Sequence, residues 1–199
     1  MPNRPILIVA TSNTHKVDEM RAALEAWFEV SGLPDGYPSP AENGDSFAAN
    51  ARIKSETAAG RLGTLCLADD SGLCVDALDG APGIYSSRFA GTEGDDAANN
   101  ELLLKRLEGV PDPDRTARFV CALSLATPSG EIGGFTGTFE GSIGRSAAGS
   151  NGFGYDPLFV VPDGRTSAQL SPEEKQHRSH RGAALRALDA ALTQGSIHF

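Results

Sequence analysis

The heptapeptide Leu67-Ala-Asp-Asp-Ser-Gly-Leu73 places two adjacent carboxylates directly after an apolar segment, residues 64–68, that is typical of a buried strand. We therefore expect a strand that ends at Asp69 and Asp70 and continues into a loop. Acidic side chains at such a boundary commonly bind a divalent cation. The same residues are also compatible with an ordinary polar turn, so this interpretation depends on the polar clusters elsewhere in the chain.

The composition restricts the class of partner. The chain has 199 residues, 40% of them hydrophobic, which is enough to bury one sizeable core. Its 26 acidic residues outnumber 17 basic ones, and the net charge of -9 disfavours non-specific binding to nucleic acid or to an anionic membrane. A small anionic substrate remains compatible, because a local site can be basic within an acidic protein.

The cysteines and the N-terminal segment indicate the compartment. Cys66, Cys74 and Cys121 are an odd number without C-x-x-C spacing, which disfavours a disulfide framework and structural zinc. The apolar run at residues 6–10 is too short for a signal peptide or a membrane span. We expect a cytoplasmic protein.

The hydrophobic pattern predicts an α/β fold over residues 1–199, with no internal repeat or linker. Residues 116–127 and 131–143 are expected to be two long strands joined by the turn at 128–130. The remaining expected elements are strands at 5–10, 64–68 and 157–161, helices after 11–14 and at 46–62, 96–107 and 182–192, and loops at 31–44 and 79–94. Residues 172 onward also follow a helix-start pattern, with Ser171 and Glu174 spaced as a capping box.

Three further clusters accompany the acidic pair. The turn Thr11-Ser-Asn-Thr-His-Lys16 precedes a helix, where free N–H groups, the helix dipole and Lys16 suit an anion. An ordinary cap with a Lys16–Glu19 surface ion pair is equally compatible. Asn151-Gly-Phe-Gly-Tyr-Asp156 offers a stacking face and a polar anchor, although the spacing alone favours a glycine-rich bulge or turn beside a strand. Lys175, His180 and Arg181 follow, and they could equally be solvated charges. Without a G-x-S-x-G elbow, a serine hydrolase built around His180 is disfavoured.

These clusters, in this order, resemble the inosine/xanthosine triphosphate pyrophosphatase family over nearly the whole chain. The matching motifs are Thr11-Ser-Asn-Thr-His-Lys16 with Glu19, Ala68-Asp-Asp-Ser-Gly72, Gly80-Ala-Pro-Gly-Ile-Tyr-Ser-Ser-Arg88, Gly152-Phe-Gly-Tyr-Asp-Pro157, and Glu173-Glu-Lys175 with Ser179-His-Arg-Gly182. The resemblance implies a mixed, elongated α/β sheet with flanking helices, two lobes around a nucleotide cleft, Mg²⁺ dependence and a homodimer.

The resemblance also implies roles for individual residues. Asp70 is expected to be the general base and a metal ligand, and Glu42 a possible second ligand. Residues expected to contact the nucleotide are Thr11, Ser12, Asn13, Thr14, His15, Lys16, Ser71, Phe153, Gly154, Tyr155, Asp156, Lys175, His180 and Arg181. Two positions depart from the family pattern: Ala41 precedes Glu42, and Gln176-His177-Arg178 replaces residues that are more often Asn and smaller or apolar.

The implied reaction converts dITP, ITP or XTP into the monophosphate and pyrophosphate. Such a cleavage needs charge neutralisation and an oriented water, which acidic metal ligands, cationic side chains and one basic carboxylate can supply. Two alternatives remain open. One is a pyrophosphatase of the septum-associated Maf type, which lacks the Ser179-His-Arg-Gly182 ending; the other is a nucleotide-binding regulator without turnover.

Overall fold

The computed structural model describes residues 4–38 and 40–199, except for the side chain of Gln176. Ser39, within the predicted loop at 31–44, lies outside the described residues. The elements are β1 (Ile6–Val9), α1 (Thr14–Leu24), β2 (Glu29–Gly32), α2 (Phe47–Leu62), β3 (Leu65–Val75), α3 (Asp96–Arg106), β4 (Thr116–Thr127), β5 (Gly130–Ile143), β6 (Phe159–Val160), α4 (Pro172–Arg178) and α5 (His180–Thr193).

The strands form one six-stranded sheet in the order β2-β1-β3-β4-β5-β6. Strand β1 is parallel to β2 and to β3, whereas β6 is antiparallel to β5, so the sheet is mixed. This arrangement confirms the predicted α/β class with a mixed sheet and helices. The chain divides into two compact units, whereas the single domain over residues 1–199 stays a prediction.

The first unit contains the residues up to Asp70 together with Cys121–Gly137 and Ala184–Phe199. Helix α1 buries Val17, Met20 and Leu24, which recur at the spacing of one helical face. Along β3, Leu65 and Leu67 belong to the larger core cluster, while Cys66 and Ala68 belong to a second one. Because successive strand residues point to opposite faces, this portion of β3 is buried on both sides.

Helix α2 packs closely because its buried residues are small. Ala58 and Ala59 pack in the second cluster with Cys66 and Ala68 of β3. Ser46 caps the helix by accepting from the N–H of Ala49, as the sequence predicts. The helix ends at Leu62, and Gly63 follows with φ 67°, a conformation that glycine adopts without steric cost.

The second unit contains Ser71–Val120 and Thr138–Ala183 and has its own core. Buried Arg115 organises one side of it. Its guanidinium donates to the carbonyls of Ile143 at 2.7 Å, Leu107 at 2.8 Å and Gly144 at 2.8 Å. A buried guanidinium needs such partners, and here backbone oxygens rather than a carboxylate provide them.

Two elements differ from the sequence-based expectations. Strand β2 lies where no strand was expected, and its end overlaps the loop expected from residue 31. A stretch with one buried apolar residue, Val30, gives little strand signal by itself, and pairing with β1 forms the strand. Strand β3 continues to Val75, so the expected strand end at Asp69 was wrong. No helix among the described residues is long and apolar enough to cross a membrane.

We predict that Arg115→Met lowers the stability of the protein by about 3 kcal/mol, because three buried carbonyls lose a donor while the side-chain volume is largely kept. The melting temperature should then fall by about 6–12 °C. The matched control is Arg145→Met, whose side chain is exposed and pairs with exposed Asp112; its effect should stay below about 1 kcal/mol. Equal melting temperatures for the two variants would contradict the role of Arg115.

Candidate active site

Strand β3 presents Asp69 and Asp70 to opposite sides. Asp69 binds Lys16 of α1, whereas Asp70 binds Asn50 and Lys54 of α2. The alternation expected from two neighbouring strand residues is therefore observed, although within the strand rather than at its end. Each carboxylate has a cationic partner from a different helix.

Asp70 lies at the centre of a small polar cluster in the first unit. Its Oδ2 accepts from Asn50 Nδ2 at 3.1 Å, and its Oδ1 accepts from Lys54 Nζ at 3.2 Å. The same Lys54 ammonium is 3.3 Å from Glu42 Oε1. Asn50 Oδ1 in turn accepts from the N–H of Gly44 at 2.9 Å, which ties the loop after Glu42 to the helix. Two carboxylates therefore converge on one cationic position.

Burial and charge act in opposite directions on this cluster. Burial raises the pKa of Asp70 above its ordinary value, and nearby Glu42 raises it further, while Lys54 and Asn50 offset part of the effect. Burial alone lowers the pKa of Lys54, but the attraction of Asp70, Asp69 and Glu42 outweighs it and the net shift is upward. Lys54 is therefore held in the charged form, and Asp70 is a better proton acceptor than an ordinary aspartate.

The donor set of this cluster fits Mg²⁺. Mg²⁺ commonly binds proteins through one or two carboxylates, and waters and phosphate oxygens of a ligand complete its coordination. Asp70 and Glu42 offer two such carboxylates directed at one position. Within the described residues, no group of three or more His, Cys, Asp or Glu side chains is arranged to hold a metal ion by itself. The cluster therefore suits an ion that a phosphate ligand helps to coordinate.

Lys16 contacts the second carboxylate of β3. Its Nζ donates to both oxygens of Asp69, at 3.1 and 2.9 Å, and the Asp69 side chain is only 1% exposed. A buried carboxylate with one cationic partner is costly to leave alone, so this pair stabilises the junction of α1 and β3. Lys16 therefore forms an ion pair with a buried carboxylate. The alternative that the helical spacing had left open, a surface ion pair with Glu19 alone, does not describe its role.

The turn before α1 is capped by its own side chains. Asn13 Oδ1 accepts from the N–H groups of His15 at 3.0 Å and Lys16 at 3.3 Å. Thr11 Oγ1 accepts from the Asn13 N–H at 3.2 Å. These two N–H groups of the first helical turn, expected to be available to an anion, are thus already bound. Ser12 and Thr14 remain exposed and line, with Thr11, a cavity of about 390 Å³ beside Gly32–Tyr37.

In the second unit, Asp156 organises the glycine-rich loop. Its Oδ2 accepts from the N–H of Phe153 at 2.9 Å and forms an ion pair with Lys175, while Oδ1 accepts from Ser167 Oγ at 2.8 Å. A Cβ at Gly152 would lie 2.1 Å from Asp156 Oδ2, so only glycine fits there. Asp156, which is 2% exposed, is thus a buried anchor for the loop.

The two aromatic residues of this loop have different environments. Phe153 is 63% exposed, and Lys175 Nζ lies 5.2 Å from its ring centroid. Tyr155 is buried in the core of the second unit, and its hydroxyl donates to the Ser86 carbonyl at 2.8 Å. Burial raises the pKa of Tyr155, and nearby Asp96 adds to the shift. Of these two rings, Phe153 is the one that offers a face to a ligand.

Helix α4 holds Lys175 near this loop and begins as the sequence predicts. Ser171 and Glu174 form the expected capping box. Arg165 binds both Asp163 and Glu174, and Arg178, whose effect the sequence left open, binds Asp163 at 2.9 Å. Arg178 thus belongs to an exposed ion-pair network with Asp163, Arg165 and Glu174.

The remaining candidates of the second unit lie at the start of α5 and after Asp70. His180 stacks on Phe119 with ring centroids 5.2 Å apart and an interplanar angle of 17°. Arg181 is 6% exposed. Ser71 is half-buried in β3, directly after the acidic pair. Their roles toward a ligand stay predictions.

Sequence reasoning missed Lys54 and Asn50. The available signal for Lys54 was a lysine on the same helical face as Ala51 and Ala58, a face that is otherwise apolar. A charge at such a position needs a partner, and Asp70 and Glu42 provide it. Asn50 gave no comparable signal, because its spacing to Asp70 along the chain carries no information about contact.

Comparison with known proteins gives a consistent result. The model of the Ham1 family matches residues 7–191. A protein of Exiguobacterium sibiricum named dITP/XTP pyrophosphatase is 54% identical over 191 residues, which cover 94% of this chain and 96% of that protein. A protein of the same name from Listeria monocytogenes is 48% identical over 193 residues, 94% of this chain and 95% of its own.

Solved structures agree in fold as well as in sequence. The Ham1 protein of Staphylococcus aureus superimposes with a TM-score of 0.87 at 42% identity, covering 95% of this chain and 98% of that one. A dITP/XTP pyrophosphatase from Mycobacterium abscessus gives a TM-score of 0.78 at 48% identity, and the match covers 92% of this chain and 96% of that one. The match extends over nearly the full length of each protein, and every motif described above lies within the residues 7–191 that the family model matches, so the chain belongs to the Ham1 family.

Proposed function

We propose that this chain is a nucleoside triphosphate pyrophosphatase that hydrolyses dITP, ITP and XTP to the monophosphate and pyrophosphate. The names of its relatives support this activity. The observation that carries the proposal is the buried Asp70 carboxylate, which shares a cationic partner with Glu42. Removal of such nucleotides from the cellular pool is the corresponding role.

In this proposal Asp70 accepts a proton from the attacking water. Burial raises its pKa, so it is a stronger base than an ordinary aspartate, while charged Lys54 beside it favours the ionised form. Phosphoryl transfer needs little covalent chemistry from the protein, and positioning with charge stabilisation is sufficient. Lys54 orients the carboxylate, and Lys16 binds the phosphates from the start of α1.

Asp70 and Glu42 are the residues that hold Mg²⁺ in this proposal. The ion supplies charge neutralisation on the phosphate oxygens. Thr11, Ser12 and Thr14 are proposed to contact the phosphates through their hydroxyl groups, Asn13 through its side-chain amide nitrogen and His15 through its imidazole. Ser71 is proposed to contribute its hydroxyl.

The base contacts are proposed for the second unit. Phe153 is the proposed stacking face, with Gly154, Tyr155 and Asp156 shaping its loop and with Lys175, His180 and Arg181 as polar contacts. Hypoxanthine and xanthine have an O6 acceptor that Arg181 can satisfy, whereas adenine has an amino group there. With adenine, the amino group and Arg181 would be two donors facing each other, and one would stay unpaired. This costs about 1–3 kcal/mol and gives about tenfold to hundredfold discrimination against ATP.

We also propose a cytoplasmic homodimer that acts as one functional domain over residues 1–199. All three cysteines are free thiols, which is compatible with a reducing compartment. The ending Ser179-His-Arg-Gly182 favours this activity over that of the Maf type. The cluster in which Asp70 and Glu42 share Lys54 favours an enzyme over a regulator without turnover.

The proposed function is tested with a panel of ITP, XTP, ATP and GTP at one Mg²⁺ concentration, with separate detection of pyrophosphate and orthophosphate. We expect pyrophosphate as the direct product and a catalytic efficiency at least about tenfold higher for ITP and XTP than for ATP. Omission of Mg²⁺ should abolish turnover. Equal rates on ITP and ATP, or direct release of orthophosphate, would exclude the proposal.

We predict different results for the two carboxylates of β3. Asp70→Asn keeps the side-chain shape but removes the base and a metal ligand, so kcat for ITP should fall about a hundredfold or more. Asp69→Asn removes the ion pair with Lys16 and the weaker attraction to Lys54 but leaves the Asp70 carboxylate in place, and its kcat should fall by less than about tenfold. An active Asp70→Asn beside an inactive Asp69→Asn would reverse the assignment.

We predict that Lys16 has a phosphate-binding role separate from its ion pair. Lys16→Ala should raise KM for ITP at least about tenfold, because a charged hydrogen bond to the phosphates is lost. It should also lower the melting temperature, because buried Asp69 loses its ion pair with Lys16. The double variant Lys16→Ala/Asp69→Asn removes both charges and should recover the melting temperature but not KM.

Glu19→Ala is the control for Lys16, since Glu19 lies one helical turn away. It should leave KM near the wild-type value. Recovery of KM together with stability in the double variant would assign Lys16 a structural role only, and a folded but inactive Glu19→Ala would give Glu19 a role of its own.

A further inference from the structure

The exposed ring of Phe153 is not held by apolar packing alone. It is 63% exposed and lies between Gly152, with φ 81°, and Gly154, with φ 61°. Glycines on both sides give the loop conformational freedom that other residues lack. The orientation of the ring must therefore depend on contacts that fix the backbone around it.

One such contact comes from Asp156, which accepts from the Phe153 N–H. The others come from α3. Asp96 Oδ2 accepts from the Gly154 N–H at 2.7 Å, and Asn100 Nδ2 donates to the Gly154 carbonyl at 2.9 Å. Asp96 and Asn100 are four residues apart, so they lie on one face of the helix. Together they hold the peptide groups on both sides of the Gly154 Cα.

The chemistry of the two side chains matches this task. A carboxylate is an acceptor only, whereas an amide nitrogen is a donor, and a glycine backbone offers one N–H and one carbonyl. With both peptide groups bound, the φ and ψ angles of Gly154 are fixed, and the chain direction leaving Phe153 is fixed with them. The ring is thus presented from a backbone held at three points.

We propose that Asp96 and Asn100 are positioning residues that preorganise the Phe153 loop for recognition of the nucleotide base, an inference that rests on the proposed function. Neither residue is among those proposed to contact the phosphates. Their loss therefore weakens the binding of ligands that contain a base, because the loop must be ordered on binding. Ligands without a base are unaffected.

Asp95 provides the matched control. It is the N-cap of α3 and accepts from the Ala98 N–H at 3.0 Å, a contact within the helix itself. Asp95→Ala removes the same charge one residue away and should lower the melting temperature by about 2–4 °C through the lost cap. It should leave KM unchanged. Asp96→Ala should instead raise KM and change the melting temperature little. Asp96→Asn still offers an acceptor oxygen, so its KM should return to near the wild-type value.

The kinetic experiment measures kcat and KM for ITP, with IMP and inorganic triphosphate as inhibitors. For Asp96→Ala and for Asn100→Ala we expect KM and the inhibition constant of IMP to rise about fivefold, while kcat changes by less than about twofold. The inhibition constant of inorganic triphosphate should stay constant, since this ligand has no base. The double variant Asp96→Ala/Asn100→Ala should raise KM by less than the product of the two single increases, because both side chains bind the same residue, Gly154.

Amide hydrogen exchange provides a readout independent of activity. Exchange at the Gly154 N–H should be faster in Asp96→Ala and unchanged in Asp95→Ala. Wild-type protein that does not release pyrophosphate from ITP would refute the proposed function. Active wild-type protein with an unchanged KM in Asp96→Ala, equal weakening of inorganic triphosphate, or unchanged exchange at Gly154 would refute the positioning role.

Discussion

The alternation of side chains along β3 is the constraint on which the first unit depends. Its apolar residues before Asp69 pack into two core clusters on opposite faces, so the next two residues are also committed to opposite faces. Both are acidic, and both enter surroundings with little water. Each carboxylate then requires a cation, and α1 and α2 supply Lys16 and Lys54 respectively. The placement of both helices and the chemistry of the site follow from the same strand.

The fold was largely predictable because its elements have strong local signals. The two long strands β4 and β5, the caps of α2 and α4, and the apolar face of α1 all depend on neighbouring residues in the sequence. Strand β2 was not predictable, because pairing with β1 forms it and its own residues carry little β-propensity. The length of β3 was underestimated for a related reason: a polar stretch, Asp69 to Gly72, gives no hydrophobic signal, although pairing in the sheet continues through it.

The candidate site was predictable in its acidic and aromatic residues and not in their supports. Asp70 and Phe153 belong to short motifs that can be recognised along the chain, whereas Glu42 was expected only from the family resemblance. Lys54 and Asn50 belong to none, and their contact with Asp70 arises only when α2 packs on β3. The hydrogen bonds from α3 to Gly154 are of the same kind, since 54 residues separate Asn100 from Gly154. Supports of this type depend on tertiary contacts and leave no local pattern.

The ammonium group of Lys54 acts as a built-in counter-ion for the two acids that face it. Without it, Glu42 and Asp70 would repel each other in a partly buried position. With it, the positive charge that the two acids need comes from the chain itself, so their repulsion is offset before any divalent cation is bound.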